Sequence, residues 1–205
     1  SGGNEPKWQE FLLMCRSDLT VMYNEQEKYE KAEPLLLENL ASYRKFFGET
    51  HPGTLREVNN LASLYNKQGR YDKAETFFIQ NLQVRRRILG EAHPDTLRSM
   101  NNLAEMYSRQ GLIERAKSLY LNILELYKKN EKENHPEIFS PMNGLALSYY
   151  KRQRYDEAEP LFIQSLDLSM RLLGENHPNT LLSMNNLGTL YIVKGRYKEA
   201  EALLL

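Results

Sequence analysis

The chain has 205 residues, 41% hydrophobic and 26% charged with 8 prolines, a composition that excludes disordered and collagen-like chains and suits one large or two small folded domains. Lys+Arg and Asp+Glu number 27 each, so no net field draws the chain to nucleic acid or to an anionic membrane. One cysteine, Cys15, excludes an intrachain disulfide and a cysteine-based zinc site; with no apolar run near the roughly 18 residues of a membrane span and no signal-type h-region, the expected location is cytoplasmic.

Residues 1–8 open with Ser1-Gly2-Gly3 and read as a tag remnant or N-terminal extension, with Trp8 a packed cap or an exposed hook. Residues 9–50 form a degenerate first repeat, marked by Leu19, Tyr23, Tyr29 and Ala32, with Cys15 a small core residue. From residue 51 a period of 42 holds without slipping. All four histidines lie in the pairs His51-Pro52, His93-Pro94, His135-Pro136 and His177-Pro178. They divide the chain into repeats at 51–92, 93–134, 135–176 and a truncated 177–205, where the pattern stops midway and the chain reads as a piece of a longer array.

Each unit decodes as two helices. Pro at the first helical position loses nothing by lacking an N–H, and Leu55, Val58, Leu61, Ala62 and Tyr65 recur at helical spacing. Gly69, Gly111 and Gly195 then stand where a left-handed cap is wanted, with Gln153 in the fourth copy. A second helix follows through Ala74, Phe78 and Leu82. The short connection forces antiparallel neighbours, and no stretch alternates with period 2. Such hairpins bury both faces only by stacking, so the expected fold is all-α, a right-handed superhelical solenoid with the first helix of each unit lining the inner surface. The unit 135–176 departs most: Pro141 and Gly144 fall inside its first helix. We expect Ser140 to cap a late start with Pro141 first, and the segment to be a hinge, a close-approach site for ligand, or ordinary drift.

The series Leu61-Ala62 to Tyr65, Gly69 to Tyr71, Ala74 and Phe78, repeated through Tyr120 and Phe162, resembles the tetratricopeptide repeat. The 42-residue period with His-Pro and Asn-Asn-Leu-Ala is similar to the extended variety in kinesin light chains and nephrocystin-like proteins, over residues 9–205. Kinesin light chains also carry heptads for their heavy chain; none is read here, so that role is not carried over. The resemblance implies a non-enzymatic adaptor or scaffold that binds an extended partner segment in a concave groove, which in kinesin light chains takes peptides with a Trp among acidic residues. Carried onto this chain, the groove positions are Arg56, Asn59, Ser63, Asn66 and Lys67; Arg98, Asn101, Glu105, Ser108 and Arg109; Ser140, Asn143, Leu147, Tyr150 and Lys151; and Leu182, Asn185, Thr189, Ile192 and Val193.

The chemistry of these residues suits that role. Asn59, Asn101, Asn143 and Asn185 recur in register, and an amide can both donate to and accept from a ligand backbone, although each could instead bond to a neighbouring helix. Arg56, Lys67, Arg98, Arg109 and Lys151 against Glu105 make a basic centre that favours carboxylates, the other reading being a solvated helix face. Leu147, Tyr150, Leu182, Ile192 and Val193 offer a seat for an apolar or aromatic anchor. Arg85, Arg86 and Arg87 read as solvated surface; Met100, Met142 and Met184 read as core filling. The histidines read as helix-start residues, since stacked units hold them too far apart for a shared metal. No phosphate loop or nucleophile elbow is present, so no metal, cofactor or catalytic residue is assigned. The alternative is an oligomerising or autoinhibitory sensor array that packs on another domain of its parent, or self-associates through exposed ends.

Overall fold

The computed structural model describes residues 5–130 and 135–204. Among them are ten α-helices and no strand: α1 (Glu5–Glu25), α2 (Tyr29–Phe47), α3 (Pro52–Lys67), α4 (Tyr71–Leu89), α5 (Pro94–Gln110), α6 (Ile113–Lys129), a 3-10 turn (Pro136–Ile138), α7 (Phe139–Lys151), α8 (Tyr155–Leu173), α9 (Pro178–Val193) and α10 (Tyr197–Leu204). Lys132, which stands in register with Gly48, Gly90 and Gly174 in place of a turn glycine, lies outside the described residues. The chain forms two compact units, Ser1–Met106 and Tyr107–Leu205, with α5 contributing to each.

The His-Pro pairs start helices, as their sequence suggests. Nδ1 of His51, His93, His135 and His177 accepts the backbone N–H of Gly53 at 3.1 Å and of Asp95, Glu137 and Asn179 at 3.2 Å. Each histidine thereby satisfies one of the orphan donors of a helix N-terminus. A threonine two residues beyond the proline locks the loop behind it: Thr54, Thr96 and Thr180 donate to the carbonyls of Gly48, Gly90 and Gly174 at 2.6, 2.8 and 2.8 Å. The helix-pair turns take a left-handed residue, Gly69 at φ 73° and, without the help of glycine, Glu27 and Gln153 at φ 57° and 59°.

Packing follows the repeat. In the first unit Leu36, Tyr43, Leu61, Leu64 and Phe78 are buried; in the second, Ala146, Ala158, Phe162, Leu166, Leu187, Leu190, Tyr191 and Ala200 form one cluster on which Tyr150 and Met184 pack. Met100 and Met142 are buried, in keeping with core filling. Several polar groups in the core are paired across helices. Asn39 donates to the Leu13 carbonyl at 2.9 Å, Ser99 to Asn81 at 3.0 Å, and Ser165 and Ser183 meet at 3.1 Å. Each such bond contributes about 1 kcal/mol, and losing one partner costs more than that.

Three expectations need correction. Cys15 is exposed rather than a core residue, because α1 turns that face to solvent. Trp8 is 64% exposed and meets Phe11 edge-on, at 6.3 Å between centroids, so it is the exposed hook and not the packed cap. The helix of the irregular repeat does start late, after the 3-10 turn, but it starts at Phe139. Its N-cap is Ile138, with no side-chain cap bond. Ser140 and Pro141 therefore lie inside the first turn, where the missing proline N–H has no intrahelical partner to lose.

Candidate functional site

The odd-numbered helices α3, α5, α7 and α9 carry the candidate groove residues at intervals that place each set on one helix face. In the first unit Arg56 is exposed, donates to the Tyr43 hydroxyl at 3.1 Å and lies 6.0 Å over that ring. Its Nε is 3.7 Å from the buried carboxylate of Glu57. Asn59 accepts from Asn102 of the next odd helix at 2.7 Å. Ser63 is half-buried, and so is Asn66, whose Oδ1 is enclosed with no hydrogen-bond partner among the described residues. Lys67 reaches the carbonyl of Asn24 at 3.5 Å. On α5, Arg98 pairs with Asp95 at 3.0 Å, and Asn101 donates to Glu105 at 2.8 Å.

In the second unit Lys151 donates to Ser108 at 3.4 Å and Arg109 is exposed. Asn143 is 7% exposed, and its Oδ1 has no hydrogen-bond partner among the described residues. Leu147 is exposed; Tyr150 is half-buried against Tyr155, 5.5 Å between ring centroids. On α9 Asn185 is exposed and its carbonyl accepts from Thr189 at 2.8 Å. Leu182, Ile192 and Val193 are exposed apolar side chains on the same helix.

Sequence reasoning counted one acid against five cations on these faces. The periodic pattern does not reveal Asp95 beside Arg98, which partly neutralises the first unit's cations, or the buried carboxyl of Glu57 beside Arg56. The signal for Glu57 was available: the register puts Ser99, Pro141 and Ser183 at its position, and a lone acid among small residues marks a special environment. Burial pushes the Glu57 carboxyl above the ordinary glutamate range, with Ser17, Asn39 and Arg56 pulling the other way without cancelling it.

Arg85 is not the solvated surface residue expected of its triplet. Burial lowers its pKa, and its guanidinium bonds the Asp95 carbonyl at 3.3 Å, bracing the start of α5. Among the described residues no group of three or more His, Cys, Asp or Glu could hold a metal ion, and no helix is long and apolar enough to cross a membrane.

Antiparallel helix pairs at a fixed 42-residue period, with polar and apolar side chains displayed on every odd helix, define an all-α repeat scaffold. The family model described as tetratricopeptide repeat matches residues 12–53, 57–129 and 137–205, and the chain belongs to that family. Its structural neighbours are kinesin light chain-like, and it is a non-enzymatic protein-interaction module. A Podosopora anserina protein described as a kinesin light chain with nearly identical TPR-like repeats is 26% identical at TM-score 0.77, covering 94% of this chain and 91% of that one. BtubC (BKLC) from P. vanneervenii is 25% identical at TM-score 0.81, covering 98% and 80%. A Rap protein complexed with competence and sporulation factor shares the fold at 15% identity and TM-score 0.73, over 99% of this chain and 52% of that one. No curated protein matches the chain.

Proposed function

We propose that the chain is an adaptor that binds an extended, acidic peptide segment of a partner protein along α3 and α5 in the first unit and along α7 and α9 in the second. The observation that carries this reading is the register: every odd helix from α3 onward sets an asparagine at the same point, flanked in three of the four by Arg or Lys. Amides grip a ligand backbone whatever its sequence, and guanidinium or ammonium groups favour its carboxylates. Asn59 and Asn101 are engaged within the fold, so in the first unit Arg56, Lys67 and Arg98 bear most of the recognition. In the second, Leu147 and Leu182 offer the aromatic or apolar anchor a surface to cover. An exposed free thiol, Cys15, is best tolerated in a reducing compartment, which favours the cytoplasm.

The test is binding of fluorescent acidic peptides carrying one aromatic residue, at two salt concentrations, to the wild type and to Arg98→Ala/Asn101→Ala. Salt-sensitive binding that the double variant loses supports the proposal. No binding, alongside concentration-dependent dimerisation, moves the assignment to self-association. That second reading is favoured by one observation: α1 leaves Trp8, Leu12, Leu19 and Met22 exposed along one side, a face a second copy would cover. Apolar association of that kind does not weaken as salt rises.

A further inference from the structure

The Glu57 side chain is fully buried where three helices meet. Its Oε1 accepts from the Ser17 hydroxyl of α1. Ser17 in turn accepts from the Asn39 amide of α2 at 3.0 Å, and the same amide holds the Leu13 carbonyl of α1 at 2.9 Å. Glu57 Oε2 is enclosed with no hydrogen-bond partner among the described residues. An ionised carboxylate in this place has given up water at one oxygen and received nothing in exchange, whereas the neutral acid has no charge to desolvate.

We propose that Glu57 is a proton-controlled latch for α1: the neutral acid keeps α1 seated on α2 and α3, and ionisation loosens it by drawing water into the three-helix junction. Helix α1 is the element that gives way because, apart from its pairing with α2, it is held at the junction mainly through Glu57. Few of its side chains are buried, among them Leu13, Ser17 and Thr20. Its remaining polar ties are long and solvent-facing: Arg16 to Glu38 at 3.5 Å, Glu10 to His51 at 3.7 Å, and the Asn24 carbonyl to Lys67 at 3.5 Å. Exposed pairs of this kind contribute about 0–1 kcal/mol. Helix α2, by contrast, is anchored by Ala32, Leu36, Leu40 and Tyr43.

The direction follows from linkage. Burial holds the Glu57 proton above the ordinary glutamate value of 4.5, while an opened junction returns the carboxyl to water and to that value. The seated state therefore binds the proton more tightly. Its advantage is complete in acid and is lost as pH rises from the ordinary value through the raised one. Other ionisable groups face the junction from each helix: Arg56 on α3, His51 at its start, Tyr43 on α2 and Glu10 on α1. Burial pushes the Tyr43 hydroxyl upward, away from the window. The two Glu57 variants keep Arg56, His51 and Glu10 and so separate their contribution from that of Glu57. Loosening α1 also frees Lys67 from Asn24, so on the peptide-binding reading the latch governs access to part of α3; the latch itself does not depend on that reading.

The test is hydrogen exchange of the α1 segment 13–20 in the full chain, corrected for intrinsic rates, with α9 as internal reference, for the wild type, Glu57→Gln and Glu57→Ser. The serine variant restores the residue of two of the three sibling repeats, Ser99 and Ser183, and guards against a misfolded glutamine variant. Burial raises the Glu57 pKa, so wild-type protection should be lost progressively as pH rises above about 4.5 while both variants stay flat. A flat wild-type profile overturns the latch. So does an equal fall in the variants, which would place the sensitive group elsewhere than at Glu57.

Discussion

At the scale of single residues, Gly144 shows how the repeat couples positions on different helices. A Cβ built at Gly144 would overlap Cζ of Tyr120 and lie 2.6 Å from its hydroxyl oxygen, on a side chain that is itself buried. The register explains the partnership: Phe78 stands with Asn102 and Phe162 with Asn186, while the one tyrosine stands with the one glycine. The close approach at Gly144 is made by the protein's own core. Gly144→Asn should therefore destabilise the chain by about 1–3 kcal/mol through overpacking, although asparagine is the better helix former. Tyr120→Phe/Gly144→Asn recreates the sibling pair, and urea melts of both singles and the double should show a coupling of about 0.5–3 kcal/mol. Strict additivity would remove the explanation. The sequence contained both halves of this pair, but their separation of 24 positions hid the contact.

At the scale of helices and loops, the pattern was legible because each landmark has one structural job. His177 accepts the Asn179 N–H, Pro178 fills the first helical position, and Thr180 secures the loop through Gly174. Replacing His177 by Ala removes the cap and should cost about 1 kcal/mol, whereas Asn, which also caps well, should retain most of it; thermal melts of the two variants measure the difference. Equal losses would mean that the histidine acts through packing instead. Less legible was α7, where Pro141 suggested a cap at Ser140. A proline is tolerated anywhere in the first turn, so its presence bounds a helix start without fixing it. The exposed faces of α1 were illegible for another reason. An apolar run such as Phe11-Leu12-Leu13 says that something should cover it, and burial of Leu13 alone shows how much of that covering the described residues provide.

At the scale of the whole molecule, an array of stacked hairpins draws its stability from successive nearest-neighbour junctions, so the charges that bridge them set its response to pH. Glu33 of α2 holds Arg70 at 2.7 Å and the Tyr65 hydroxyl at 3.1 Å, with the guanidinium 4.4 Å over the Tyr65 ring. The 42-residue register repeats the arrangement in the second unit: Glu159 of α8 binds Lys194 at 2.7 Å and Arg196, which stacks 4.1 Å over Tyr191. The Lys194 bond pulls the Glu159 carboxyl below the ordinary range, partial burial opposes it, and Arg196 adds to the fall. For Glu33 burial pushes upward, but the Arg70 and Tyr65 bonds outweigh it. Both carboxylates are thus bound more tightly as anions in the folded chain. Their stabilisation is present above the ordinary glutamate value and is lost as pH falls through the lowered one, opposite in sign to Glu57. Glu33→Gln/Glu159→Gln should cost about 1 kcal/mol per site at neutral pH and little at pH values below the lowered range, flattening the acid limb of the stability profile. Urea denaturation across the acid range checks this, and an acid limb as steep in the double variant as in the wild type would place the sensitive carboxylates elsewhere. The candidate ligand faces lie on the odd helices that these clamps brace, at Tyr65 of α3 and Tyr191 of α9, and the repeat pattern does not reveal acids such as Asp95 that partly neutralise them. Repeat landmarks keep one register because one backbone geometry serves them all, whereas Glu57 and Asp95 answer only to local neighbours that the periodic pattern does not encode.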